Sequence, residues 1–126
     1  LHGDILADRW LDPCPKHPAC AIGKAQPGRP PHCADCGNRL RPGVVWFGEA
    51  LSAQAMEEAQ TLAARCRVMI VVGTSGAVWP AAGLAAEARS AGAWVLIVNP
   101  QASDIDADAD AVLRGTAAVL LPRLLA

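Results

Sequence analysis

Apolar residues follow two different patterns along this chain. From about residue 43 onward they alternate between short continuous runs and helical stripes. Val44-Val45-Trp46-Phe47, closed by Gly48, predicts a short buried strand, and Val68-Met69-Ile70-Val71-Val72, closed by Gly73, predicts a second. Between them Ser52 is placed to cap a helix through about Arg65, with Met56, Ala59, Leu62 and Ala63 on one face and Glu57 and Glu58 toward its positive end. Pro80 fits the first turn of a helix that stops at Gly92. Trp94 to Val98 reads as a third strand and Ala111-Val112-Leu113 as a fourth, and Thr116 caps a last helix that ends near Leu125 with Pro122 limiting its regularity. Strands separated by helices imply right-handed crossovers and a small parallel sheet, the α/β class.

Residues 1–42 obey another rule. They hold seven of the 10 prolines and four of the five cysteines, and between Pro13 and Pro42 the large aliphatics are only Ile22 and Leu40. Such a segment buries too little apolar surface to fold on its own and needs a staple. The change in composition divides the chain into 1–42 and 43–126. Across all 126 residues, 52% hydrophobic and 18% charged content excludes global disorder. No apolar run reaches the roughly 18 residues of a membrane span, and no basic-then-apolar leader opens the chain. The expectation is a cytoplasmic protein with no membrane partner. Eleven Lys+Arg against 12 Asp+Glu, with no basic block, leave no field for steering nucleic acid, so no direct nucleic-acid partner is expected. Leu1 is not an initiator Met, and the chain is expected to be a piece of a longer protein.

Cys33-Ala34-Asp35-Cys36-Gly37 has the spacing of a zinc knuckle, in which a two-residue gap lets both sulfurs reach one ion and the trailing Gly permits the tight turn. Its partner pair is Cys14 and Cys20, five residues apart in the intervening chain. A mixed set using His17 or His32, a disulfide pairing and no metal at all are the alternatives. A zinc held here is structural, because nothing nearby supplies a base for a zinc-bound water. Cys66, alone at a helix-to-strand junction, reads as core. Gly73-Thr74-Ser75-Gly76 lies at the carboxyl end of a predicted parallel strand and before a helix, where backbone N–H groups favour phosphate, although a plain tight turn gives the same residues. Asn99-Pro100 stands at the same sheet edge, as turn chemistry or as a ligand to ribose hydroxyls. The stretch from Asp104 to Asp110, with its four alternating acids, reads as a solvated loop.

Taken in order and spacing, several segments together resemble the sirtuins, the NAD-dependent protein lysine deacylases, over the whole chain. They are Leu1-His2-Gly3, the Cys pairs, Leu40-Arg41-Pro42-Gly43-Val44-Val45-Trp46-Phe47-Gly48-Glu49, Gly73-Thr74-Ser75 with Val78 and Pro80-Ala81, and Val98-Asn99. Trp46 is similar to the bacterial and mitochondrial-type members. The resemblance implies part of a Rossmann-like parallel sheet plus a small zinc-binding module, with NAD and zinc as cofactors and an acyl-lysine protein or peptide as partner.

It also implies roles. His2 matches the general base that deprotonates a hydroxyl of the NAD ribose after the acyl oxygen has attacked the anomeric carbon, and imidazole is the side chain suited to proton transfer near neutral pH. Val45 matches the residue whose carbonyl accepts the acyl-lysine N–H, and Phe47 the ring lining the acyl-lysine tunnel, with Trp46 between them. Gly48 and Glu49 continue the strand that pairs with the substrate backbone. Gly73, Thr74 and Ser75 are similar to the adenosine-side NAD loop, Asn99 to the ribose ligand, and Thr116 with Ala117 to the residues beside the adenine.

The family places its first zinc cysteines where Trp10 and Pro13 stand, so Cys14 and Cys20 are displaced from that pattern. Its Gly-Ala-Gly segment and Gln-Asn-x-Asp motif belong before residue 1. The chain therefore corresponds to a carboxyl half that begins at the catalytic His and is expected to be inactive alone. A zinc-ribbon interaction module without catalysis and an NAD-dependent ADP-ribosyltransferase are the alternative readings.

Overall fold

The computed structural model describes residues 1–12 and 25–126. Its described residues fall into two compact units, His2–Leu51 and Ser52–Ala126.

In the first unit the strands are β1 (Gly3–Trp10), β2 (Ala25–Gln26), β3 (His32–Cys33) and β4 (Leu40–Val44). β1 pairs antiparallel with β4, and β2 with β3. The β1–β4 pair opens with two glycines. Gly3 lies opposite Val44, and Asp4 opposite Gly43. Gly3 has φ +83°, and a Cβ there would sit 2.0 Å from the Gly43 carbonyl oxygen, so only glycine permits this approach. The register then shifts between Asp4 and Asp8, where the Leu6 N–H turns to the Asp4 carboxylate at 2.8 Å and leaves Ile5 and Leu6 exposed.

The strand expected over Val44 to Phe47 is displaced. β4 ends at Val44, and the four residues Trp46 to Glu49 form a turn closed by the Glu49 N–H on the Trp46 carbonyl at 3.0 Å. Gly48, with φ +87°, occupies the third position of that turn, which requires a left-handed residue. The apolar run lacks a core to enter, and its Phe47 is 97% exposed.

The second unit is built as α1 (Ala53–Arg65), β5 (Val68–Val72), α2 (Gly83–Ser90), β6 (Trp94–Val98), β7 (Ala111–Leu113) and α3 (Ala117–Leu124), with a short 3-10 helix at Asp106–Asp108. Ser52 caps α1, its hydroxyl accepting from the Ala55 N–H at 3.3 Å. Strands β5, β6 and β7 form one parallel sheet in that order. The α/β class and the parallel sheet are thus as the sequence predicts. The core lies on the face where Met69, Val71, Val95, Ile97 and Val112 meet Ala63 of α1 and Ala85 and Ala88 of α2, with Ile105 beside them. Alanines on the helix faces let the helices sit close to the sheet.

Three expectations need correction. α2 begins at Gly83, three residues after Pro80, because residues 79–82 turn before the helix starts. Leu62 is 71% exposed and only Ala63 of that helix is fully buried. β5 is covered on one face among the described residues: Val68, Ile70 and Val72 stay exposed while Met69 and Val71 pack inward. Among the described residues no helix is long and apolar enough to cross a membrane.

Candidate functional site

In the His2–Leu51 unit, the geometry joins two of the residues singled out by sequence. The Val45 N–H donates to the His2 carbonyl at 2.9 Å, extending the β1–β4 pairing by one step, so the imidazole-bearing residue and the start of the Trp46–Glu49 turn are tied through their backbones. His2 itself is exposed, Val45 half-buried, and Phe47 stands at the turn's tip.

Behind the turn lies a charged cluster that sequence reasoning missed. The Arg41 guanidinium, 6% exposed, donates to both carboxylate oxygens of Glu49, at 2.8 Å from Nη2 and also through Nη1, and to the Val44 carbonyl at 2.5 Å. It also lies 3.6 Å over the centre of the Trp46 ring, a cation–π contact. Glu49 Oε2 further accepts the Trp46 N–H at 2.9 Å and Arg9 Nη2 at 2.7 Å. The Arg41 hydrogen bonds first, then the Trp46 N–H, hold the Glu49 carboxyl down to about 2, so it is ionised throughout the working range. The available signal was a lone Arg beside an apolar run with an acid eight residues on, and no element periodicity relates those positions.

In the Ser52–Ala126 unit, the remaining candidates gather at the carboxyl ends of the parallel strands, where α/β sheets place ligands. Gly73, Thr74 and Ser75 follow β5 and are all exposed. The Gly73 N–H donates to the Val98 carbonyl at 3.1 Å. Asn99, buried just past β6, donates from Nδ2 to the Thr74 carbonyl at 2.6 Å, and its own N–H reaches the Leu113 carbonyl at 3.1 Å. The Asp104 N–H donates to the Ser75 carbonyl at 2.8 Å. Asn99 therefore ties the first loop to the second. A cavity of about 340 Å³, lined by Ile70, Val72, Thr74, Val78 and Ala81 among others, opens beside the loop. Thr116 and Ala117 lie at the start of α3, past the end of β7.

Asp104 to Asp110 is not a free solvated loop. Asp106 binds Arg114 and the Ser103 hydroxyl, and Arg114 also donates to the Gln101 carbonyl at 2.6 Å. Asp110 accepts the Val95 N–H at 2.8 Å. The Arg114 hydrogen bond, followed by those of Ser103, lowers the Asp106 carboxyl to about 2.

Of the four cysteines singled out as metal ligands, Cys14 and Cys20 lie outside the described residues, as does His17. Cys33 is buried and Cys36 half-buried. The Gly37 N–H donates to the Cys33 carbonyl at 2.9 Å, and the Cys33 N–H to the Asn38 carbonyl at 2.7 Å, so the Cys33–Gly37 segment is a closed turn; among the described residues no group of three or more His, Cys, Asp or Glu is placed to hold a metal ion.

A parallel sheet with tied loops at its carboxyl ends, joined in one chain to a histidine and an exposed aromatic turn, defines a protein of the α/β class. Sequence comparison narrows the class. The model of the Sir2 family matches residues 1–80, and the chain belongs to that family. It is 52% identical over 126 residues to the NAD-dependent protein deacylase of Ralstonia nicotianae, covering 100% of this chain and 50% of that relative. It is 44% identical over 126 residues to NAD-dependent protein deacylase 2 of Pyrobaculum aerophilum, covering 99% and 49%. The chain thus spans about half the length of the curated relatives it matches. Among solved structures, a Sir2–p53 peptide–NAD+ complex superposes with a TM-score of 0.82 at 28% identity, over 99% of this chain and 52% of that one. Sir2Tm bound to a propionylated peptide superposes with a TM-score of 0.82 at 29% identity, over 99% and 53%.

Proposed function

We propose that the protein is an NAD-dependent protein lysine deacylase that removes acyl groups from lysine side chains, with formation of nicotinamide and O-acyl-ADP-ribose. In this reading the chain supplies the base, the acyl-lysine turn and the adenosine-side cofactor loops. The observation that supports it best is the His2–Val45 backbone bond, which ties the base to the acyl-lysine turn in a chain of the Sir2 family. The relatives' names and the peptide and NAD+ in the superposed complex agree with it.

The loop edge fits NAD: Gly73 to Ser75 are exposed at a strand's carboxyl end, with Asn99 fixed beside them and a cavity alongside. When bound, NAD supplies the electrophilic anomeric carbon to the acyl oxygen. Gly73, Thr74 and Ser75 would hold its adenosine side, Asn99 a ribose, and Thr116 with Ala117 the adenine. The Val45 carbonyl accepts the acyl-lysine N–H, and Phe47 covers the acyl chain and excludes water. His2 would be the base for a ribose hydroxyl, a ring nitrogen being its proton acceptor. Gly48 and Glu49 offer backbone to the substrate strand.

The full-length protein, given NAD and an acyl-lysine peptide, is expected to yield nicotinamide, O-acyl-ADP-ribose and deacylated peptide in equal amounts, read by mass spectrometry. Deacylation that proceeds without NAD would end this reading. Nicotinamide release with ADP-ribose attached to the peptide and the acyl group retained would replace it by ADP-ribosyl transfer.

We also infer a structural zinc held by Cys14, Cys20, Cys33 and Cys36, in a cytoplasmic setting that keeps thiols reduced. The closed Cys33–Gly37 turn and the near absence of apolar core around it support the assignment. Metal analysis of the purified protein should give one zinc per chain, and Cys36→Ala should abolish it along with the order of the β2–β3 pair. Unchanged metal content in that variant would remove Cys36 from the ligand set.

A further inference from the structure

The Arg41–Glu49 pair grips the Trp46–Glu49 turn from several sides. Arg41 holds the Val44 carbonyl before the turn and the Trp46 ring in it, while Glu49, the last residue of the turn, takes the Trp46 N–H with its own carboxylate. Arg9 of β1 donates to the same carboxylate from the other strand. Phe47, fully exposed at the tip, is the side chain of the turn left to meet a ligand. A bidentate guanidinium–carboxylate pair fixes direction as well as distance, so it sets the shape of the segment between its two residues.

We propose that Arg41 and Glu49 are positioning residues for acyl-lysine binding: their side chains preform the Val45–Gly48 segment, and the Glu49 carboxylate faces Arg41 rather than the substrate. This rests on the deacylase reading. A segment already ordered before substrate arrives costs less to bind than one that must order on contact, so loss of the brace weakens peptide binding more than chemistry.

The test measures kcat and both KM values in the full-length protein for Glu49→Gln, Arg41→Lys and the double variant, with amide hydrogen exchange followed in each. Each single variant is expected to raise the peptide KM about tenfold, leaving kcat and the NAD KM within about twofold. The double variant should be no worse than the worse single one, because both remove the same brace. Faster exchange should be confined to residues 44–49. Arg9→Gln, at an exposed position, covers the case in which the other variants misfold, with a rise of about threefold in peptide KM expected.

Multiplied rather than shared effects in the double variant would mean that Glu49 meets the substrate independently, and would overturn the proposal. So would unchanged peptide KM in Arg9→Gln and Glu49→Gln, or losses spread over kcat, NAD KM and exchange throughout β1 and β4. A wild-type protein that performs no NAD-dependent deacylation defeats the deacylase reading itself, and is recognised before any substitution is made.

Discussion

Replacing His2 by Ala in the full-length protein is expected to lower product formation about 10²- to 10⁴-fold, the usual contribution of a positioned general base. Exchange of labelled nicotinamide into NAD, which reports an earlier step, should survive far better. The structure makes the two effects separable. His2 holds Val45 through its backbone carbonyl, which alanine retains, and its side chain is exposed, so the substitution leaves the β1–β4 pair and the turn intact. Equal losses of exchange and product formation would assign His2 to binding or folding and remove it from proton transfer.

Phe47→Ala should act on the other side of the reaction. At 97% exposure the ring contributes almost nothing to folding, so the variant should melt with wild type. Burying such a ring against an acyl chain is worth about 1.5–3 kcal/mol, which corresponds to a rise of roughly 10- to 150-fold in the KM for acyl-lysine peptide. The NAD KM and the nicotinamide exchange rate at saturating peptide should stay close to wild type. A lowered melting temperature with unchanged peptide KM would return Phe47 to a structural role. The pair of variants thus tests separately the proton transfer proposed for His2 and the substrate contact proposed for Phe47.

The parts legible in the sequence were those governed by local rules. Ser52 announces α1 because a hydroxyl before an apolar stripe is a cap wherever it occurs, and Trp94 to Val98 announces a buried strand by its unbroken apolar run. The same rule misread β5. When all five residues are apolar, a strand covered on one face cannot be told from one covered on both, and only the packing of α1 and α2 against Met69 and Val71 leaves Val68, Ile70 and Val72 as the exposed set. Val44 to Phe47 misled for a different reason: the run leaves the β1–β4 pair at Val44 and ends in a turn with Phe47 exposed, which hydrophobicity alone does not announce. The pairing of Arg41 with Glu49, and the bonds from Asn99 to Thr74 and from Asp104 to Ser75, join residues that no helical or strand period relates. Motif spacing located the loops, whereas how they are held required the fold.

The contact of Gly3 with Gly43 also bears on how this protein can change over evolutionary time. A side chain on Gly3 would strike the Gly43 carbonyl oxygen, and one on Gly43 would come within 2.9 Å of the Ala7 carbonyl oxygen; both obstacles are main chain, which no compensating trim of a neighbour removes. Gly3 and Gly43 are therefore closed to drift. Phe47, four residues past Gly43, meets no such limit, since it projects into open space, whereas the Trp46 ring lies under the Arg41 guanidinium. Divergence from this sequence can therefore reshape the tip of the turn while the main chain between Gly3 and Gly43 keeps its course.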